Sequence, residues 1–101
     1  SREWLNEFYP TILEALPRMR DPEQVAIIAL ACNRWSVAGS PPQESLSLAL
    51  NAAIMTVVSR LSMGHVVALM HTTQYTECKD ALQIRYSRLL RIELRDGRVG
   101  R

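Results

Sequence analysis

The sequence predicts an all-α fold, a small bundle of about four helices forming one domain over residues 1–101 and completed by dimerisation. Three observations carry that prediction. Apolar residues recur at three- and four-residue spacing, helix start and stop signals punctuate the chain, and one central stretch is too apolar to stay solvated. From Leu46 to Met70, 25 residues pass with Arg60 as the one formal charge and His65 as the one group titrating near neutral pH. A helix apolar on most of its surface needs cover, and a chain of 101 residues offers little, so a second copy or another protein is the expected complement.

The first helical segment places Trp4, Leu5, Phe8, Tyr9, Ile12 and Leu16 on one face, with Glu3, Glu7 and Glu14 across from it. The glutamates read as a solvated face rather than as paired catalytic carboxylates, because acids are seldom buried. Pro10 removes the amide bond back to Asn6, which predicts a kink or two short helices meeting at Tyr9 and Pro10. Pro17 closes the segment.

Asp21, Pro22, Glu23 and Gln24 then supply an N-cap, a proline at the first helical position, an acid in the positive first turn and a glutamine able to complete a capping box. This second helix is expected to run through Val25, Ile28, Ala31 and Trp35, with Ile27 and Leu30 alongside, and to end before Gly39. Cys32 on it reads as a buried thiol. Ser40, Pro41, Pro42 and Gln43 repeat the start signal, so a short corner leads into the central stretch.

At 100° per residue that stretch sorts into one face of Leu46, Leu50, Ala53, Ile54, Val57, Leu61 and Ala68, with Leu48, Met55, Val66 and Leu69 roughly opposite. Two apolar faces predict two partners. Gly64 either divides the stretch or is tolerated inside one helix at about 1 kcal/mol relative to alanine. The length would suit a membrane span. However, Asn51, Arg60, His65 and several hydroxyls oppose insertion, a central arginine alone adding about 2.5–3.5 kcal/mol, so a bundle core and no membrane contact are expected.

His71, Tyr75 and Cys78 follow at i, i+4 and i+7, which on a continuous helix is one face. A histidine and a cysteine there fall short of the four ligands a structural zinc takes, so neither a metal nor another cofactor is expected. Phosphate loops, HExxH and nucleophile elbows are absent, and no catalytic residue is assigned; the chain is expected not to be an enzyme.

The last segment is basic. Lys79, Arg85, Arg88, Arg91, Arg95, Arg98 and Arg101 stand against Asp80, Glu93 and Asp96, while the first fifty residues carry a small negative excess. On a helix, Arg88, Arg91, Arg95 and Arg98 make an outer stripe, with Leu82, Tyr86, Leu89 and Leu90 turned inward beside Glu93. A strand from Leu90 onward is the competing geometry, because Leu90, Ile92 and Leu94 alternate with charges ahead of Asp96-Gly97. Too few residues follow to build its partner, so a helix is expected.

With 48% hydrophobic and 22% charged residues, the composition is that of an ordinary globular domain. Two cysteines make no disulfide framework and no basic segment precedes an apolar leader, which points to a reducing cytoplasm. A chain that opens on Ser1 rather than Met carries the expectation of natural ends reaching further.

Association is the function these features support: a non-enzymatic adaptor or inhibitor that docks another protein, a regulatory target, and forms a homodimer. The candidate docking residues are Trp4, Phe8, Tyr9 and Ile12 of the first segment with Leu50, Ile54, Val57 and Leu61 of the central one, while Met55, Met63 and Met70 add adaptable surface. In size and helical character, though not by any motif, the chain is similar to small anti-activators that sequester a bacterial transcription factor, such as a quorum-sensing regulator. That likeness implies a sequestering regulator. Two other readings stand beside it: a nucleic-acid-binding module using Arg88, Arg91, Arg95 and Arg98, whose affinity would fall steeply with salt, and a structural subunit of a phage or secretion assembly.

Overall fold

In the computed structural model, residues 3–95 are described, and among them every regular element is helical. Five α-helices appear where about four were expected: α1 (Glu3–Ala15), α2 (Pro22–Val37), α3 (Glu44–Val57), α4 (Met63–Met70) and α5 (Lys79–Arg95). Short 3-10 turns at Leu16–Arg18, Val58–Arg60 and Thr76–Cys78 join them.

The extra helix arises inside the apolar stretch. One long helix from Leu46 to Met70 does not form, and the interruption falls ahead of Gly64. After Val57 the chain tightens into a 3-10 turn, Leu61 and Ser62 are extended, and the Ser62 hydroxyl accepts the His65 amide at 3.3 Å as the N-cap of α4. Gly64 is the second residue of that new helix. A methyl group added there would meet no heavy atom within 4 Å, so the glycine answers no steric demand.

The other boundaries follow local chemistry. Asp21 accepts the Glu23 amide at 2.9 Å ahead of Pro22, as the cap signal predicts. Gly39 stands at φ 98° just past the end of α2, and Ser40 donates its amide to Trp35 at 2.8 Å, the pairing of a Schellman stop that a residue with a Cβ adopts only under strain. The next helix starts later than its sequence signal: Pro41 and Pro42 stay outside the helix, Gln43 takes the cap position in extended conformation without a side-chain bond, and α3 begins at Glu44. α1 runs across Pro10 as a single helix rather than as two. α5 remains helical to Arg95, so no strand forms from Leu90; Asp96 and Gly97 lie outside the described residues.

Packing proceeds outward from the middle. α3 lies between α1 and α2, α2 also packs on α4, and α4 carries α5. The shared core joins Leu16, Val25, Leu46, Leu50, Ile54, Val57, Leu61, Val66, Leu69 and Leu82. Covered on two sides, α2 turns small residues inward: Ala26, Ala29 and Cys32 are fully buried, whereas Ile27, expected beside the core, is half exposed. Small side chains let neighbouring helices approach closely, and that displaces the face that bulk alone would select. In α3 and α4, the first predicted face is buried through Leu61. The opposite face divides, because Val66 and Leu69 now sit on a separate helix and enter the core while Leu48 and Met55 remain exposed.

Three polar ties fix the connections. Tyr75, in the loop after α4, is wholly buried and its hydroxyl donates to the Ala29 carbonyl of α2. Arg85 of α5 donates from Nε and Nη2 to the Leu61 carbonyl at 3.1 and 3.0 Å, capping the turn between α3 and α4. Cys78 donates its thiol to Asn51 Oδ1 at 3.2 Å, while Asn51 Nδ2 bonds the Ser47 carbonyl at 2.9 Å, so the buried Asn51 amide is satisfied at both ends.

Candidate interaction surface

Helical rotation separates the two sides of α1. With Trp4 as origin, Phe8 lies about 40° round the helix, Leu5 and Ile12 about 80–100°, and Leu13 and Asn6 about 180–200°. Leu5 and Ile12 accordingly enter the core. Trp4 remains 51% exposed and Phe8 37% exposed. Both rings meet Trp35 from the last turn of α2 edge-on, each with centroids 5.2 Å away, and Tyr9 reaches the same indole at 6.0 Å. Trp4 and Phe8 stand 5.8 Å apart. Tilted and edge-to-face contacts at these distances suit the ring quadrupoles, so the four rings form an ordered corner with Trp4 and Phe8 each partly in solvent.

A groove lies on the far side of α1, between that helix and the corner joining α2 to α3. It has a volume of about 690 Å³ and a floor of Leu5, Tyr9, Leu13 and Leu46, rimmed by Asn6, Pro41, Gln43 and Ser45. None of its lining residues is charged. Tyr9 belongs to both features, and its hydroxyl donates to the Ser40 carbonyl at 2.7 Å, which pins α1 to the corner. Burial raises the Tyr9 phenol above its ordinary range, with Cys32 adding to the effect.

The eight candidate docking residues therefore divide. Trp4, Phe8 and half-buried Tyr9 reach the surface together. Ile12, Leu50, Ile54, Val57 and Leu61 do not: each is at most 4% exposed, covered by the chain's own helices. In this arrangement they hold the fold, because the α3 face expected to need a partner is already closed by α1, α2 and the Leu61 turn. Trp35 is the surface residue that sequence reasoning assigned to the inner face alone. Its place in the last turn before Gly39 was the available signal, since a ring there overhangs the helix end.

The arginine stripe also survives in part. Arg88, Arg91 and Arg95 are exposed along the outer face of α5, with Ile84 and Ile92 exposed beside them. Arg98 lies outside the described residues. Leu82 is buried, and Tyr86 and Leu89 pack against the core, as the inward face predicts.

The two thiols are withdrawn from the surface. Cys32 and Cys78 are free, fully buried thiols, and burial pushes each from an ordinary value of 9.0 up to about 11, Glu77 contributing at Cys78. Both stay protonated near neutral pH and lack the thiolate a nucleophile needs. Burial, with Cys32, Cys78 and Tyr9 nearby, likewise raises the Tyr75 phenol well above its ordinary range. His71, Tyr75 and Cys78 do not share a helix face: His71 closes α4, Tyr75 lies in a loop and Cys78 in a 3-10 turn. Among the described residues, no three His, Cys, Asp or Glu side chains gather as a metal site. Nor is any described helix long and apolar enough to cross a membrane. Comparison with family models, curated proteins and solved structures returns no match to this chain.

Proposed function

We propose that the chain is a non-enzymatic helical interaction module, a small cytoplasmic regulator that docks a partner protein through the aromatic corner of α1 and α2. The observation that carries this reading is the pair of exposed rings, Trp4 and Phe8, braced edge-on by Trp35. Rigid aromatic anchors deliver large contact area at low conformational cost, which is why they dominate binding energy in interfaces. The five helices close their own core without using these two rings. Replacing them should therefore cost recognition before it costs the fold.

The adjoining uncharged groove extends the same surface and suits an apolar segment of the partner, with Asn6, Gln43 and Ser45 placed to meet its backbone polar groups. A regulatory role, as adaptor or as inhibitor of a transcription factor, is the use to which a small domain would put such a docking face.

The test is a quantitative comparison of proteins captured from host extract by the wild type, Trp4→Asp and Phe8→Asp, after circular dichroism has established unchanged helicity for each. A protein retained by the wild type in high salt and lost with both folded variants supports the reading. Identical captures by all three proteins would refute it.

A further inference from the structure

We propose that the partner seated on α1 is a second copy of this chain, presenting the outer face of α5 in antiparallel alignment. The two helices stand at opposite ends of the packing order, α1 on α3 and α5 on α4, and each leaves one amphipathic face uncovered.

The faces match in charge, spacing and apolar content. On α1, Glu7 and Glu14 are exposed beside Trp4 and Phe8. On α5, Arg88 and Arg95 are exposed with Arg91 between them and Ile84, Ile92 and Leu94 around them. Seven residues separate the two acids and seven separate the two outer arginines, so both pairs span about 10.5 Å of helix axis. Antiparallel alignment sets Glu7 against Arg95 and Glu14 against Arg88. It also sets Phe8 two residues, about 3 Å of helix axis, from Ile92, with the Arg95 guanidinium within reach of the ring.

Within α5 the stripe is self-repelling, because arginines three, four and seven residues apart lie on one side of the helix. An acidic helix relieves that repulsion and contributes apolar contact as well. The opposed helix dipoles favour the same orientation. Exposed ion pairs are individually weak and screened by salt, so the apolar residues add contact while the charges fix partner and register and make the assembly salt-sensitive. Since the two faces differ, the contact is heterologous, closing as a pair that makes it twice or extending head to tail. Self-association would then cover Phe8 and regulate the availability of the aromatic corner to another protein.

This inference rests on α1 being a docking face, and its test uses purified protein alone, so its outcome is independent of the capture comparison. Mass is measured by light scattering and sedimentation over a wide concentration range, at low and high salt. The wild type should exceed the single-chain mass by twofold or more at high concentration and fall back toward it in high salt.

Two folded variants, Glu7→Arg with Glu14→Arg and Arg88→Glu with Arg95→Glu, should each remain at the single-chain mass. Mixed, they should regain the larger species, because each then meets the charge its own copy lacks. Single-chain mass for the wild type throughout would overturn the proposal, as would variants that assemble like the wild type or fail to recover on mixing. Assembly that disappears with nuclease treatment would likewise overturn it and assign the arginine stripe to nucleic acid.

Discussion

Replacing Tyr75 by phenylalanine should lower stability by about 1 kcal/mol while leaving the helices in place. Tyr75 is wholly buried, and its hydroxyl donates to the Ala29 carbonyl, joining the loop after α4 to the central helix. The ring stays in the variant, so packing is conserved. What disappears is one buried hydrogen bond, for which about 0.5–1.5 kcal/mol is the usual net contribution. The Ala29 carbonyl sits inside α2, where the intrahelical ladder supplies its other bond, which keeps the loss at the lower end for a buried partner.

Removing the ring as well, in Tyr75→Ala, adds a large cavity and should cost about 3–5 kcal/mol, comparable to the whole stability of a small domain. The assay is urea unfolding followed by the fluorescence of Trp35 and Trp4. With a slope of about 1 kcal/mol per molar at this size, the Phe variant should shift the midpoint by roughly 0.5–1 M without changing the slope. An unchanged midpoint would show that the hydroxyl does not tie the loop to α2, and the reasoning would fail.

Burial of Cys32 and Cys78, which raises both thiols to about 11, favours the protonated form in the fold. Their contribution is therefore complete below the ordinary value of 9.0 and is lost as pH rises through 9 to 11; urea midpoints should fall across that window, and less so in Cys32→Ala with Cys78→Ala. Gly64→Ala should stabilise by about 0.5–1 kcal/mol, since the position is helical and open; calorimetry should show a rise of a few degrees, and a fall would contradict the open environment. Ile54→Ala should cost about 2–5 kcal/mol in chemical unfolding, and a loss below 1 kcal/mol would place that side chain outside the core. Asp21→Ala should cost about 1 kcal/mol through the vacated cap on the Glu23 amide, again read from the urea midpoint.

Local chemistry was legible wherever one residue type has few alternatives. Asp21-Pro22 started a helix and Gly39 stopped it; the inward Leu82, Tyr86 and Leu89 followed from spacing. The division of Leu46–Met70 was not legible at its true position. Gly64 draws attention by its lack of a side chain, yet Ser62, with a hydroxyl that can take an orphan amide, is where the new helix begins. The capping signal at Ser40–Gln43 was similarly overridden: Pro42 disfavours a helical Pro41, and the helix begins only at Glu44 behind an extended Gln43.

The docking residues show the same boundary between what a sequence carries and what a fold decides. Periodicity identifies an apolar face but not what covers it, so Leu50, Ile54, Val57 and Leu61 read equally as interface or core. The fold buries them because α1 and α2 close over α3 and the break after Val57 turns Leu61 into the same core. The sequence by itself determined an all-helical chain, its main capping points, the inward face of α5 and the basic outer stripe, since each depends on neighbours within a few residues. Only the tertiary structure decided that Ile27 faces out while Ala29 and Cys32 face in. It alone set Trp35 against Trp4 and Phe8 and left those two rings partly exposed, because such outcomes depend on volume and contact between segments far apart along the chain.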